Sequence, residues 1–186
     1  MPLPSFSTLA AGAVLCLGIG CSATLAAHAA SATHAPTALD AQDEAFVARA
    51  SSNSTLQITM AQVVLGETAA NQSASNQARE LARHIVTEHQ ALIARFTDFA
   101  ARKKADDQHA APVHGMNDNK ARLQQLHGKA LDRAFAGMVV KADQQIIPAY
   151  EHAAKSSHTP ALRKIASEAL PTLREQLKAA SALDRP

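Results

Sequence analysis

The sequence predicts an all-α protein built as a four-helix bundle, and two observations carry this prediction. Apolar side chains recur at steps of three and four in four segments of about 25 residues each, which is the period of one face of an α-helix. No stretch alternates between apolar and polar residues, and no Asn-Gly pair marks a hairpin, so strands are not expected. Amphipathic segments of this length, joined mostly by short links, are typical of a helical bundle.

The first helix is predicted to begin after Asp40, whose carboxylate is suited to cap the free N–H groups of a first turn. Asp43 and Glu44 follow in that turn, where acidic side chains face the positive end of the helix dipole. Gly66 and the polar run 71–73 indicate where the helix ends. The face expected to point inward carries Phe46, Ala50, Asn53, Gln57, Met60 and Val64.

The second helix has the clearest pattern, and Ser73 or Ser75 is suited to cap its start. Residues 105–118 are polar and contain proline and glycine, so they are predicted to form a loop with room for a crossover. A short helical turn is expected near Leu123 and Leu126. The stripe of the second helix consists of Leu81, Ile85, His89, Leu92, Phe96 and Phe99.

The third and fourth long helices follow, and each has a proline inside its pattern. Pro148 and Pro171 each remove one backbone hydrogen bond, so we expect both helices to be kinked or divided there. The third stripe consists of Leu131, Phe135, Val139, Ile146 and Tyr150, and the fourth of Leu162, Ile165, Ala169, Leu173 and Leu177. The helical domain is expected to span residues 40–183.

The N-terminal segment is typical of export. Residues 1–39 contain no charged side chain, and residues 9–20 form an apolar core that precedes an Ala-His-Ala motif at residues 27–29. This pattern predicts a signal peptide over residues 1–29, followed by a flexible spacer over residues 30–39. The expected location is therefore the periplasm or the exterior. Two alternatives stay open: an uncleaved N-terminal anchor, and a lipoprotein that is acylated at Cys21.

Composition excludes one class of partner. The net charge is +2 and aromatic residues make up 3% of the chain, so neither a basic surface nor a base-stacking platform for nucleic acid is expected. Both cysteines, Cys16 and Cys21, lie in the export segment. Cleavage after Ala29 would leave a domain without thiols, which must be stabilised by apolar packing rather than by disulfide bonds. Contact with a membrane is expected only through an uncleaved or lipidated N-terminus, and a protein partner or a homo-oligomer stays open.

Each long helix also places polar side chains on or beside its apolar stripe. A buried polar group costs free energy unless it finds a hydrogen-bond partner, so we expect these side chains to share one layer of the core. One interpretation is a site for a metal or a small ligand. The other is a layer that fixes the register of the helices, or side chains that reach water. The candidates are Gln57, His89, Asp143, Gln144 and Gln176.

Three stretches resemble one bacterial family. Phe46, the run RELARHIVTEH at residues 79–89 and the run LPTLREQL at residues 170–177 are similar, in this order, to the family called domain of unknown function 4142. The resemblance covers about residues 40–182. It implies a ferritin-like four-helix bundle behind a signal or lipoprotein peptide, in a periplasmic or outer-membrane setting. It implies no particular reaction.

The family pattern also implies a polar set that this sequence keeps only in part. His89 and Asp143 match a histidine of the second helix and an aspartate of the third. Because a neutral amide is a poor metal ligand beside imidazole or carboxylate, the substitutions weaken a metal site here. The chain has Gln57 where relatives commonly have Glu, Glu88 where they have Asp, and Gln144 and Gln176 where they have His.

Metal chemistry has further weak candidates. No Glu-x-x-His motif occurs, so a ferritin-type di-iron centre is not expected. The loop contains His109, His114 and Met116, but their spacing matches no defined ligand pattern. The metal candidates are therefore His89, Asp143, His109 and His114, and no cofactor is predicted.

The sequence contains no recognisable catalytic set. The first functional hypothesis is an exported, non-enzymatic bundle of the cell envelope, with stress tolerance among its roles. The second is a bundle that binds a metal or a small ligand in its polar core layer. The third, a module that binds a protein partner, would need an exposed apolar stripe.

Overall fold

The computed structural model describes residues 39–66, 73–100 and 115–185, and every regular element in these ranges is an α-helix. The prediction of an all-α bundle is therefore confirmed. The four predicted long helices are present. The short turn expected near Leu123 is a separate helix that begins at Met116, so residues 116–118 are helical and do not belong to the loop as predicted. The helices are α1 (Ala41–Val64), α2 (Asn76–Ala100), α3 (Met116–Gln124), α4 (Gly128–Ser156) and α5 (Pro160–Leu183).

Several predictions fall on residues that are not described. The signal peptide at residues 1–29, the lipoprotein alternative at Cys21 and most of the spacer at residues 30–39 lie outside the described residues. The loop histidines His109 and His114 also lie outside them. Within residues 39–66, 73–100 and 115–185, none of the helices combines the length and the apolar character that a membrane span requires.

The core of the bundle consists of two groups of buried apolar side chains. The first core cluster is aromatic at its centre, where Phe46 packs edge-on against Phe96 and Tyr150 at ring-centroid distances of 5.8 and 5.1 Å. Such edge-to-face pairs are favourable beyond the area they bury. The second core cluster occupies the other end and includes Met60, Ile85, Leu123, Phe135 and Val139.

The two clusters show in which direction each long helix runs. α1 and α5 pass from the first core cluster to the second, whereas α2 and α4 pass from the second to the first. α1 packs against α2 and α4, and α5 packs against the same two helices, so each of these four pairs is antiparallel. α2 and α4 run in the same direction. The end of α2 and the start of α4 therefore lie at opposite ends of the bundle, and α3 directly precedes α4 in the sequence.

The helix ends follow the local chemistry of the sequence. Asp40 caps α1 as predicted, because its Oδ1 accepts a hydrogen bond from the Asp43 N–H at 2.8 Å. Ser75, one of the two residues expected to cap α2, accepts from the Ala78 N–H at 3.2 Å. Pro148 and Pro171 do not divide their helices, and both side chains are exposed, so water can hydrate the carbonyl groups they leave unbonded. Kinks at these prolines stay a prediction.

A buried aspartate joins the starts of α2 and α4, and its removal should destabilise the bundle. Asp132 is 6% exposed, and its carboxylate accepts a hydrogen bond from the Ser75 N–H at 3.1 Å. Asp132→Ala leaves that N–H without its partner, so we expect the free energy of unfolding to fall by about 1–2 kcal/mol in urea denaturation. The exposed control Asp118→Ala should change it by less than about 0.5 kcal/mol. Equal effects of the two variants would contradict this role of Asp132.

Candidate functional site: a buried polar layer

Each long helix contributes one polar side chain to a single level of the core, between the two apolar clusters. We call these four residues, Gln57, His89, Asp143 and Gln176, the polar layer; their exposed fractions are between 0% and 1%. They lie together because each occupies a core-facing position of its own helix, as the spacing of the apolar residues indicated. All four were candidates from the sequence.

The fifth candidate, Gln144, does not belong to this layer. Its side chain is exposed. The reason is geometric: adjacent residues of an α-helix point about 100° apart, so Asp143 and Gln144 cannot both face the core. The expectation that Gln144 shares the layer is wrong.

The amide nitrogen of Gln176 is the centre of the polar layer. Gln176 Nε2 lies 2.6 Å from Gln57 Oε1, 3.2 Å from Asp143 Oδ1 and 3.3 Å from His89 Nε2. Acceptor atoms from α1, α4 and α2 thus converge on one donor group from α5. An amide nitrogen carries only two hydrogens, so these three acceptors share them.

Gln57 provides the shortest contact to the carboxylate. Its Nε2 donates to Asp143 Oδ1 at 2.7 Å and to Asn53 Oδ1 at 3.2 Å. Asn53 in turn donates to the Ala142 carbonyl at 3.4 Å. Gln57 therefore uses its nitrogen as a donor to α4 and its oxygen as an acceptor from α5, which ties three helices together through one side chain.

His89 is neutral in this environment, and its two ring nitrogens have different partners. Burial lowers the pKa of His89 to about 4; the hydrogen bond with Gln176 opposes this shift, and the nearby His84 adds to it. Because Gln176 Nε2 faces His89 Nε2 as a donor, Nε2 accepts and the proton belongs on Nδ1. Nδ1 then donates to Ser54 Oγ at 3.0 Å.

Ser54 is the member of this network that the sequence reading missed. It is 1% exposed and lies on α1, three residues before Gln57. A separation of three residues places two side chains on the same helical face, so the spacing contained the signal. Serine is less conspicuous than histidine or aspartate in a search for unusual core residues, because its hydroxyl also bonds its own helix.

Asp143 is the group of the polar layer whose charge is poised to change near neutral pH. Burial raises the pKa of its carboxyl to about 7, and the hydrogen bonds from Gln57 and Gln176 act in the opposite direction. Its Oδ2 has no hydrogen-bond partner among the described residues, and the same holds for Gln176 Oε1. Both atoms are buried, so each is an acceptor that a proton or a small donor could satisfy.

The donor set of the polar layer does not match a metal site. Among the described residues, no group of three or more histidine, cysteine, aspartate or glutamate side chains is arranged to hold a metal ion. Of the metal candidates, His89 and Asp143 lie among the described residues, and the Gln176 amide bonds to both. An N–H group that donates to them occupies the lone pairs that a cation would need.

A small pocket leads from the surface to the polar layer. It lies between α2 and α5, has a volume of about 70 Å³, and reaches His89 and Gln176. This is room for a few water-sized groups. Arg95 and Glu168, which form an ion pair at 2.5 Å, belong to its lining, and Glu88 and Thr172 contribute further polar groups.

Comparison with known proteins adds a family. The family model described as "Domain of unknown function (DUF4142)" matches residues 28–183, a range that includes all five helices and the whole polar layer. No curated protein and no solved structure matches this chain. The match therefore supports the resemblance found in the sequence without supplying a substrate or a reaction.

Proposed function

Because this chain belongs to the family of domain of unknown function 4142, we propose that it is an exported, non-enzymatic helical-bundle protein of the bacterial periplasm or cell envelope. In this proposal the polar layer is a structural device that fixes how the four long helices pair. The common direction of α2 and α4 also supports the ferritin-like assignment, since bundles of that type have one long crossover connection.

The observation that carries the proposal is the position of the Gln176 amide. Gln57 Oε1, Asp143 Oδ1 and His89 Nε2 all lie within 3.3 Å of its nitrogen. In a metal site these acceptors would face a cation, whereas here they face a neutral donor that belongs to the chain. The polar layer therefore satisfies most of its own hydrogen bonds, which is what a register-fixing layer requires.

Thermal melts test this proposal against a metal-binding bundle. We expect the melting temperature of metal-free protein to change by less than about 1 °C on addition of Zn²⁺, Cu²⁺, Fe²⁺ or Mn²⁺, because residues 39–66, 73–100 and 115–185 offer no ligand set to them. His89→Ala removes a layer residue, and His84→Ala serves as the control because it removes an exposed histidine of the same helix. A rise of about 5 °C or more with one metal, lost in His89→Ala and kept in His84→Ala, would contradict the proposal.

Export predicts a defined mature N-terminus. We expect intact-mass spectrometry of the protein from a periplasmic or secreted fraction to show a chain that begins at Ala30, since residues 27–29 have the small residues that signal peptidase reads. A chain that begins with an acylated Cys21 would support the lipoprotein alternative, and a full-length chain in the membrane fraction would support the anchor. Full-length chain in the cytoplasm would contradict export altogether.

A second candidate function is the binding of a small ligand, and the pocket between α2 and α5 is the observation that favours it. The pocket reaches Gln176, whose Oε1 is buried and has no hydrogen-bond partner in the described part of the chain. A ligand with an N–H or O–H group that satisfies this oxygen would stabilise the folded protein. Such stabilisation should be lost in Gln176→Met, which keeps the length of the side chain and removes its polar atoms.

A further inference from the structure

The hydrogen bonds of the polar layer can run in two directions. A glutamine amide that turns by half a rotation exchanges its oxygen and nitrogen while the heavy atoms keep their places, and a neutral imidazole can carry its proton on either nitrogen. The contacts Gln57–Asp143, Gln176–Gln57, Gln176–His89 and His89–Ser54 therefore each allow either donor sense. The two hydrogen-bond directions require the same steric shape. A group at one end of the row of hydrogen bonds must therefore determine which direction is adopted.

Asp143 is the group that determines the direction of these hydrogen bonds. While it is ionised it can only accept, which obliges Gln57 to present Nε2 to Oδ1 at 2.7 Å. The oxygen of Gln57 then faces Gln176, so Gln176 presents Nε2. His89 must accept that hydrogen bond at Nε2 and carry its own proton on Nδ1. Each step follows because two acceptors or two donors at these distances repel each other.

A proton on Asp143 reverses these requirements. On Oδ2 the proton would be a buried donor without a partner, because that oxygen has none among the described residues. On Oδ1 it meets Gln57, and it forms a hydrogen bond only if Gln57 has turned its oxygen toward Asp143. Gln176 then turns its oxygen toward Gln57 and His89, at the cost of its 3.2 Å hydrogen bond to Asp143 Oδ1. Asn53 turns its amide as well, at the cost of its long bond to Ala142.

We propose that protonation of Asp143 reverses the direction of all the hydrogen bonds that link Asp143, Gln57, Gln176 and His89, moves the His89 proton from Nδ1 to Nε2, and exchanges the oxygen and nitrogen of the Gln176 amide, a residue that lines the pocket between α2 and α5. In the ionised state the unpartnered amide atom of Gln176 is a carbonyl oxygen; in the protonated state it is an NH₂ group. The net reaction is the uptake of one proton from water by Asp143. The proton of His89 changes nitrogen by exchange with water, without net gain or loss.

For a small ligand that enters the pocket and reaches the Gln176 amide, the preferred chemistry then depends on whether Asp143 carries a proton. With Asp143 ionised, the atom of Gln176 that lacks a partner accepts, which suits a small ligand with N–H or O–H groups. With Asp143 protonated, that position donates, which suits a small ligand with an acceptor oxygen. The inference goes beyond the proposed structural role, because it gives the polar layer two states that the pocket can report.

The groups that face Asp143 are neutral above pH 5, so the charge of Asp143 itself determines the direction of the hydrogen bonds. α1 and α5 face it with the neutral amides of Gln57 and Gln176. α2 faces it through His89, whose pKa of about 4 keeps the ring neutral above pH 5. Further titratable or charged groups are His84, which acts on His89, and the pocket residues Glu88, Arg95 and Glu168.

The test is a nuclear magnetic resonance titration of the purified protein labelled with ¹⁵N and ¹³C, without added ligand. We expect the neutral His89 ring to carry its proton on Nδ1 at pH 9 and on Nε2 at pH 5.5, as read from its two ring-nitrogen shifts. The midpoint should coincide with that of the Asp143 carboxyl ¹³C shift. A single His89 tautomer at both pH values, while the Asp143 carboxyl titrates, would overturn the proposal.

Two variants test whether the change of the His89 tautomer depends on the charge of Asp143. In Asp143→Asn the side chain can no longer change charge, so one His89 tautomer should persist from pH 5.5 to pH 9. In His84→Gln, which changes the exposed histidine of α2 nearest in effect to His89, the switch should persist. A tautomer change that survives in Asp143→Asn would also overturn the proposal. If Asp143→Asn fails to fold, the coincidence of the two midpoints in the unaltered protein decides.

Discussion

Gln57→Met should lower the free energy of unfolding by about 3 kcal/mol at pH 8, although methionine matches glutamine closely in length and volume. The variant removes the 2.7 Å hydrogen bond to Asp143 and the oxygen that Gln176 contacts at 2.6 Å. Asp143 then holds a buried charge whose shortest bond is lost, and each buried polar group without its partner costs about 1–3 kcal/mol. Urea denaturation measures the change. Gln144→Met, an exposed glutamine of α4, is the matched control and should change stability by less than about 0.5 kcal/mol.

The interaction behind this loss is isolated by a double-mutant cycle with Asp143→Leu, which keeps the branched shape of the side chain. We expect the double variant to be more stable than the sum of the single effects predicts, by about 2 kcal/mol, since the second change removes a group that has already lost its main partner. Additive effects would show that Gln57 and Asp143 stabilise the bundle independently. In that case the polar layer would not be a connected network.

The second large effect is the dependence of stability on pH, in which Asp143 and His89 act in opposite directions. Burial raises the pKa of Asp143 from 3.8 to about 7, so its contribution is fully present below pH 3.8 and is lost as the pH rises through 7. Burial lowers the pKa of His89 from 6.5 to about 4, so its contribution is present above pH 6.5 and is lost as the pH falls through 4. Between about pH 4 and 6.5 the two slopes cancel.

Single variants should expose each slope. In Asp143→Asn only the His89 contribution remains, so stability relative to the unaltered protein should fall by about 1.4 kcal/mol for each pH unit from 6.5 down to 4. In His89→Gln only Asp143 remains, and stability relative to the unaltered protein should fall at a similar rate as the pH rises from 4 to 6.5. Urea denaturation at several pH values measures both. Parallel pH profiles for all three proteins would contradict the burial of ionisable groups in the polar layer.

The sequence was sufficient for the fold and for the four members of the polar layer. A repeat of three and four residues marks the buried face of each helix, and Gln57, His89, Asp143 and Gln176 all interrupt that face. Sequence adjacency placed Gln144 wrongly in the layer beside Asp143, because adjacent side chains of an α-helix point about 100° apart. It also passed over Ser54, although that residue lies three positions before Gln57.

The contacts within the layer required the structure. The period of the apolar residues indicates which face of a helix is buried. It does not indicate the position of one helix relative to another along the bundle axis. Only the packed bundle shows that the amide of Gln176, from α5, stands level with Gln57, His89 and Asp143. The direction of α4 relative to α2 also required the structure. The predicted loop at residues 105–118 is long enough for a crossover, but its length does not require one.

The most direct test of the central claim, that the Gln176 amide closes the polar layer in the place of a cation, observes that amide itself. In nuclear magnetic resonance spectra at pH 8, the Gln57 and Gln176 side-chain NH₂ protons should have shifts well separated from those of exposed glutamines. They should exchange slowly with water and stay unchanged with excess Zn²⁺. Rapid exchange of the Gln176 NH₂ protons, or their displacement by Zn²⁺ together with a shift of the His89 ring nitrogens, would contradict the claim.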